Sequence, residues 1–115
     1  MMNEVYINEN KVLSRVRVAD SFLSRLQGLM FKKEMKDIDG MLIESCKSIH
    51  TCFMRFSIDV FFMNKKNEVV KIIRDLKPWR FSRFYMKAAR VLETMPNADN
   101  GTLKEGDTLE LRCLS

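Results

Sequence analysis

Ile58-Asp59-Val60-Phe61-Phe62-Met63-Asn64-Lys65-Lys66-Asn67-Glu68-Val69-Val70-Lys71-Ile72-Ile73-Arg74 is the stretch that decides the fold. Ile58 to Met63 is a short apolar run rich in β-branched and aromatic residues, Asn64 to Asn67 is polar, and Glu68 to Arg74 returns to valine and isoleucine. Two runs of this length around a turn-forming cluster predict a β-hairpin, because a helix needs a longer stretch with a period of 3.6. Alternation in the second arm is weak, so the sequence does not assign its two faces.

Working outward, Ile49 to Arg55 predicts a further extended segment, and Met41-Leu42-Ile43 after Gly40 predicts a short buried strand. Glu4 to Asn8 and Val12 to Val18 predict two strands joined at Asn8-Glu9-Asn10. In the second, Val12, Ser14, Val16 and Val18 alternate with Leu13, Arg15, Arg17 and Ala19, the period of a half-buried strand. Asp20 or Ser21 then caps an expected short helix whose apolar stripe is Phe22, Leu23, Leu26, Leu29 and Met30, with Gly28 inside it. Lys32 to Asp39 is a polar connection. Downstream, Ala88 to Thr94 suits strand or helix, Asn97 to Lys104 a helical turn, and Gly106-Asp107 a turn into a last strand, Thr108 to Cys113. The expected class is α+β, predominantly β: one domain over residues 1–115, a partly open barrel or curled, mostly antiparallel sheet with one or two short helices.

At 115 residues, with four glycines and two prolines, the chain has the length for one core and no flexible linker to divide it. Nothing near its start reads as a signal peptide, and the longest apolar stretch, Val60 to Met63, is too short to span a membrane. Three cysteines form no paired framework, so reduced thiols and a cytoplasmic location are expected. The net charge of +5 is concentrated in Lys71, Arg74, Lys77, Arg80, Arg83, Lys87 and Arg90, opposed only by Asp75.

Three groups of residues could carry chemistry. If Ile49 to Arg55 is extended, His50, Cys52 and Met54 share one face, and Cys46 joins them if the strand starts earlier. Cys46, His50 and Cys52 would then be soft ligands for Cu(I) or Zn(II), although their spacing matches no standard zinc pattern and no metal is favoured. A hydrogen-bonded histidine beside packed thiols accounts for the same residues. The second group pairs Cys46 or Cys52 with His50, oriented by Asp59, as nucleophile, base and carboxylate. Asp59 itself lies in an apolar run and needs a partner if buried; Arg55, His50, Arg25 and Arg80 are the candidates. The third group is Lys77-Pro78-Trp79-Arg80-Phe81-Ser82-Arg83-Phe84-Tyr85-Met86-Lys87. Arginines among aromatics bind phosphate and stack on bases, and also arise where aromatics face the core and arginines face water. Gly28, Gly40, Gly101 and Gly106 form no phosphate-binding loop, and no cofactor fingerprint is present.

An ordered series of short motifs runs through the chain: Arg25-x-x-Gly28-Leu29-Met30, Gly40-Met41-Leu42, Cys46-x-Ser48-Ile49-His50-Thr51, Phe53-Met54-Arg55-Phe56, Ile58-Asp59-Val60, Pro78-Trp79-Arg80, Ala89-x-Val91-Leu92-Glu93 and Gly106-Asp107. It resembles the "domain of unknown function 192" family of bacterial and archaeal proteins, over roughly Asp20 to Cys113. The family usually has an aromatic where Cys52 stands and a proline where Ser57 stands, so Cys52 carries less weight. The resemblance implies a small β-rich domain and no agreed activity. His50, Met54, Asp59 and Arg80, with Arg25 and Glu93 from the matched motifs, are the ligand-binding candidates. The expected function is a non-enzymatic accessory domain that binds a small ligand or a protein segment near His50, Asp59 and Arg80. The alternatives are a small hydrolase-like or metal-dependent enzyme using His50 with a cysteine or Asp59, and polyanion or nucleic-acid binding through residues 71–90.

Overall fold

The computed structural model describes residues 2–19 and 38–113. They form a seven-stranded sheet from β1 (Met2–Ile7), β2 (Asn10–Ala19), β3 (Gly40–Glu44), β4 (Ile58–Met63), β5 (Val69–Leu76), β6 (Arg90–Thr94) and β7 (Glu110–Cys113). The spatial order is β5-β4-β6-β3-β2-β1-β7. Neighbours run antiparallel except β2 and β3, which pair in parallel from Val16 opposite Gly40 to Ala19 opposite Ile43. The sheet is therefore open and mixed. Its two ends approach at one point, where Glu68 bridges Thr108 and the Val69 amide donates to the Asp107 carbonyl at 2.8 Å.

The expected hairpin forms as β4 and β5. The Asn64 side-chain oxygen accepts from the Lys66 and Glu68 amides at 2.9 and 3.0 Å, which closes the turn. Every residue of β4 is buried, because it lies between β5 and β6 with an apolar cluster on each face. Val60 and Phe62 join Met41, Ile43 and Val91 on one side; Phe61 and Met63 join Leu42 and Leu92 on the other. A strand covered on both faces reads as a continuous apolar run, and that is how Ile58–Met63 reads. Arg90–Thr94 resolves as strand, pairing with β3 and β4.

Three expectations change. First, β2 does not keep strict alternation: Leu13, Val16 and Ala19 are the buried positions. The pairing with β1 shifts between Asn3 and Val5, opposite Ser14 and Arg15. At that bulge both amides point to one acceptor, the Asp39 carboxylate, at 2.7 and 3.1 Å. Second, Ile49 to Arg55 is not a strand. His50 makes a single bridge with Phe81, and the chain then turns at Cys52-Phe53, where Phe53 takes φ 66°. The shared face expected for His50, Cys52 and Met54 is lost with the strand: Met54 is buried and Cys52 is partly exposed. Third, residues 96–101 are consecutive turns in place of the helical turn expected over 97–104, with Ala98 donating to the Met95 carbonyl and Thr102 to the Asp99 carbonyl. The expected helix over Asp20 to Met30 lies outside the described residues, and among the described residues there is no helix. The fold is thus mostly β, and the α part of the expected class is not met there. No helix among the described residues is long and apolar enough to cross a membrane.

Candidate binding surface

Thr51, fully buried, joins two loops into one unit. Its hydroxyl donates to the Lys77 carbonyl at 2.6 Å and accepts from the Arg80 amide at 2.9 Å. Its own amide donates to the Arg80 carbonyl, and its carbonyl accepts from the Trp79 and Met54 amides. Farther along, Ser82 donates to the Ile49 carbonyl and Tyr85 to the Lys47 carbonyl, each at 2.9 Å. Residues 47–51 and 79–85 thereby form an irregular antiparallel strip. Tyr85 anchors it by packing on Phe62, centroids 4.6 Å apart.

The strip carries large apolar side chains in water: Phe53, Trp79, Phe81, Phe84 and Met86 are 46–76% exposed. Phe53 and Trp79 sit at φ 66° and 63°, the left-handed region where aromatics are uncommon. Their rings meet edge to face, 4.7 Å apart, and Phe81 lies beside His50 at 6.0 Å. The aromatics of Lys77–Lys87 therefore do not all turn to the core: Tyr85 does, while Trp79, Phe81 and Phe84 face solvent. Arg55, Lys77, Arg80, Arg83 and Lys87 are exposed around them. Where the strip reaches Met86, a cleft of about 470 Å³ opens between it and the β4–β5 turn, lined by Lys47, Lys65, Lys66 and Lys87. Its carboxylate, Glu68, accepts a hydrogen bond from Asn64 at 2.9 Å.

The other candidates separate from one another. Asp59 is 2% exposed, and among the described residues its ion-pair partner is Arg74 (2.8 Å), not Arg55, His50 or Arg80. It also accepts from the Asp75 and Asn97 amides, each at 2.8 Å, so it ties β4, β5 and the turn after β6. Arg74 reaches on to Asp99, which is 1% exposed, with bonds of 2.7 and 3.0 Å, and lies 5.1 Å from the Phe61 ring centroid. Burial pushes the Asp99 carboxyl up, but the Arg74 guanidinium and the Leu103 and Gly101 amides outweigh it and hold its pKa below the usual value. Hydrogen bonding to Asp99, first, and to Asp59 raises that of Arg74 against its own desolvation.

Glu93 is fully buried in β6, opposite Met41 and Val60. Arg25 lies outside the described residues. His50 Nδ1 accepts from the Cys52 amide at 3.2 Å, so its lone pair closes the turn. Cys46 Sγ donates to the Ser48 carbonyl at 2.9 Å. Among the described residues no three metal-capable side chains converge. Sequence reading missed Thr51 and the Asp99–Arg74 pair. The turn-rich Asn97-Ala98-Asp99-Asn100-Gly101 was the available signal for Asp99; no local pattern marks Thr51.

The "Uncharacterized ACR" family model, DUF192, matches residues 5–111. The chain belongs to the DUF192 family. A UPF0127 protein of Pyrococcus horikoshii is 43% identical over 90 residues, 73% of this chain and 75% of the relative. One from Pyrococcus furiosus is 45% identical over 69 residues, 57% of this chain and 59% of the relative. Two crystal structures share the fold at TM-score 0.76 and 21% identity, each covering 96% of this DUF192 chain. One is a protein of unknown function from Novosphingobium aromaticivorans, of which 84% is covered. The other, from Sinorhizobium meliloti and described as a candidate transcription regulator, is 94% covered. At that identity the likeness shows the fold alone. The family is uncharacterised, and these relatives bring no activity to the site.

Proposed function

We propose that this protein is a non-enzymatic binding domain whose working surface is the aromatic and basic strip of residues 47–55 and 77–87. The observation that carries this reading is the set of apolar side chains, Phe53, Trp79, Phe81, Phe84 and Met86, left in water on loops that Thr51 holds in place. A contiguous apolar surface rimmed by polar groups marks an interaction site, whereas isolated exposed residues need no explanation. Two aromatics in the left-handed region support the same reading, since backbone strain of this kind gathers where a surface is shaped for contact. The surrounding cations select an occupant that is apolar and negatively charged. Of the ligand candidates, Arg80 and His50 belong to this surface; Asp59 and Glu93 support the scaffold behind it. We read residues 1–115 as one domain and place it in the cytoplasm, in keeping with an odd number of cysteines.

Nucleic acid is the second reading, because arginines beside exposed aromatics also suit single strands. It is weakened by the pairing of Arg74 with Asp59 and Asp99, and of Arg90 with Glu44, which commits part of the basic stretch to the fold.

The chain's single tryptophan, Trp79, reports on the strip directly. Titration with a short peptide of leucine, phenylalanine and glutamate should shift Trp79 emission to the blue. A Phe81→Ser/Phe84→Ser variant should bind at least tenfold more weakly. Equal binding by that variant, or tighter binding of single-stranded DNA than of the peptide, would count against the proposal.

A further inference from the structure

We infer that the natural occupant of the strip is the surface of an anionic lipid bilayer; this rests on the strip being the working surface. Aromatic and methionine side chains on loops, with lysine and arginine around them, are what an interfacial contact requires: the rings enter the headgroup region and the cations meet anionic lipid. Trp79 and Phe53, packed edge to face, form one end of the strip, Phe81 its middle and Met86 its far end. The lysine cleft opens beside Met86, where Lys65 and Lys66 on the β4–β5 turn and Lys87 can meet a lipid phosphate.

Two other occupants fit less well. A second copy of the chain meeting this face by a two-fold axis would set the same basic rim against itself, Arg80 and Arg83 included. A protein segment docking as a strand needs an open edge, but the backbone of 47–51 is already bonded to 79–85. The cleft at the strip's end is lined mainly by lysines and polar groups, unlike a groove for an apolar helix. A bilayer needs neither feature.

Co-sedimentation of the full chain with phosphatidylglycerol/phosphatidylcholine vesicles, against pure phosphatidylcholine, tests this. Binding is expected to the anionic vesicles, with a blue shift of Trp79 emission and loss at high salt. Phe81→Ser/Phe84→Ser should weaken it at least tenfold. Lys65→Gln/Lys66→Gln should weaken it about fivefold per lysine, the effect of roughly one charge near an anionic surface. No binding to anionic vesicles, or binding unchanged in the aromatic variant, overturns the inference. If vesicles fail while the acidic apolar peptide binds, the lipid assignment falls and the working surface stands; if both fail, the surface falls as well.

Discussion

Arg74 illustrates how one side chain can be misread in sequence and still organise a fold. It lies in a run of cations that reads as a solvated face, yet its guanidinium bridges two buried carboxylates on different elements. Asp59→Asn keeps the shape but removes the charge facing Arg74. Because Arg74 remains 37% exposed and partly hydrated, we expect a loss of about 2 kcal/mol rather than the larger cost of breaking a sealed pair. That corresponds to a fall of roughly 8 °C in Tm, measured by circular dichroism, and a variant melting with the parent would contradict it. Asp99 contributes to the pH dependence. Its folded pKa is below that of the unfolded chain, so near pH 4 the native state binds fewer protons. The stability it contributes is therefore complete well above the unfolded value of about 4, and is lost as pH falls through that value and then the lower, folded one. Urea midpoints should drop between pH 5 and 3, and Asp99→Asn should flatten that drop while starting from a lower midpoint at pH 7.

Among the elements, β3 and β6 make the tightest demand. A Cβ on Gly40 would lie 2.9 Å from the Glu93 carbonyl oxygen and 3.1 Å from Thr94 Cγ2. Both strands sit inside the sheet, so neither can move away. Gly40→Ala should cost about 1–3 kcal/mol by overpacking, read from chemical denaturation; a neutral effect would mean that β3 and β6 are farther apart. The hairpin β4–β5, β3 and the last strand were legible because their apolar runs and turn residues are local signals. The β2 bulge was not, since Asp39, which satisfies its paired amides, is far along the chain. Residues 49–55 misled for the same reason. The sequence suggested an extended segment, but Thr51 spends its hydrogen bonds on Lys77, Trp79 and Arg80, partners that only the tertiary fold supplies. The soft-ligand row of His50, Cys52 and Met54 depended on that strand and is not formed.

At the scale of the molecule, a scaffold and a surface divide the residues between them. The two apolar clusters on opposite faces of the sheet, with Asp59, Arg74 and Asp99 fastening one end, hold the scaffold. Thr51 joins the two loops of the strip, Tyr85 anchors the strip on Phe62, and Phe81, Phe84 and Met86 project from the strip into water. The family resemblance was readable from ordered motifs, and the exposed strip was half readable: the aromatic and basic stretch was visible, while which of its rings point outward was decided by the fold. If Phe81, Phe84 and Met86 serve binding and not folding, they can be removed without harm to the scaffold. The most direct measurement is the Tm of a Phe81→Ser/Phe84→Ser/Met86→Ser variant. It should stay within about 4 °C of the parent, as expected for substitutions at exposed sites. A fall of more than about 10 °C would show that these side chains hold the fold together, and would contradict the assignment of the strip as a binding surface.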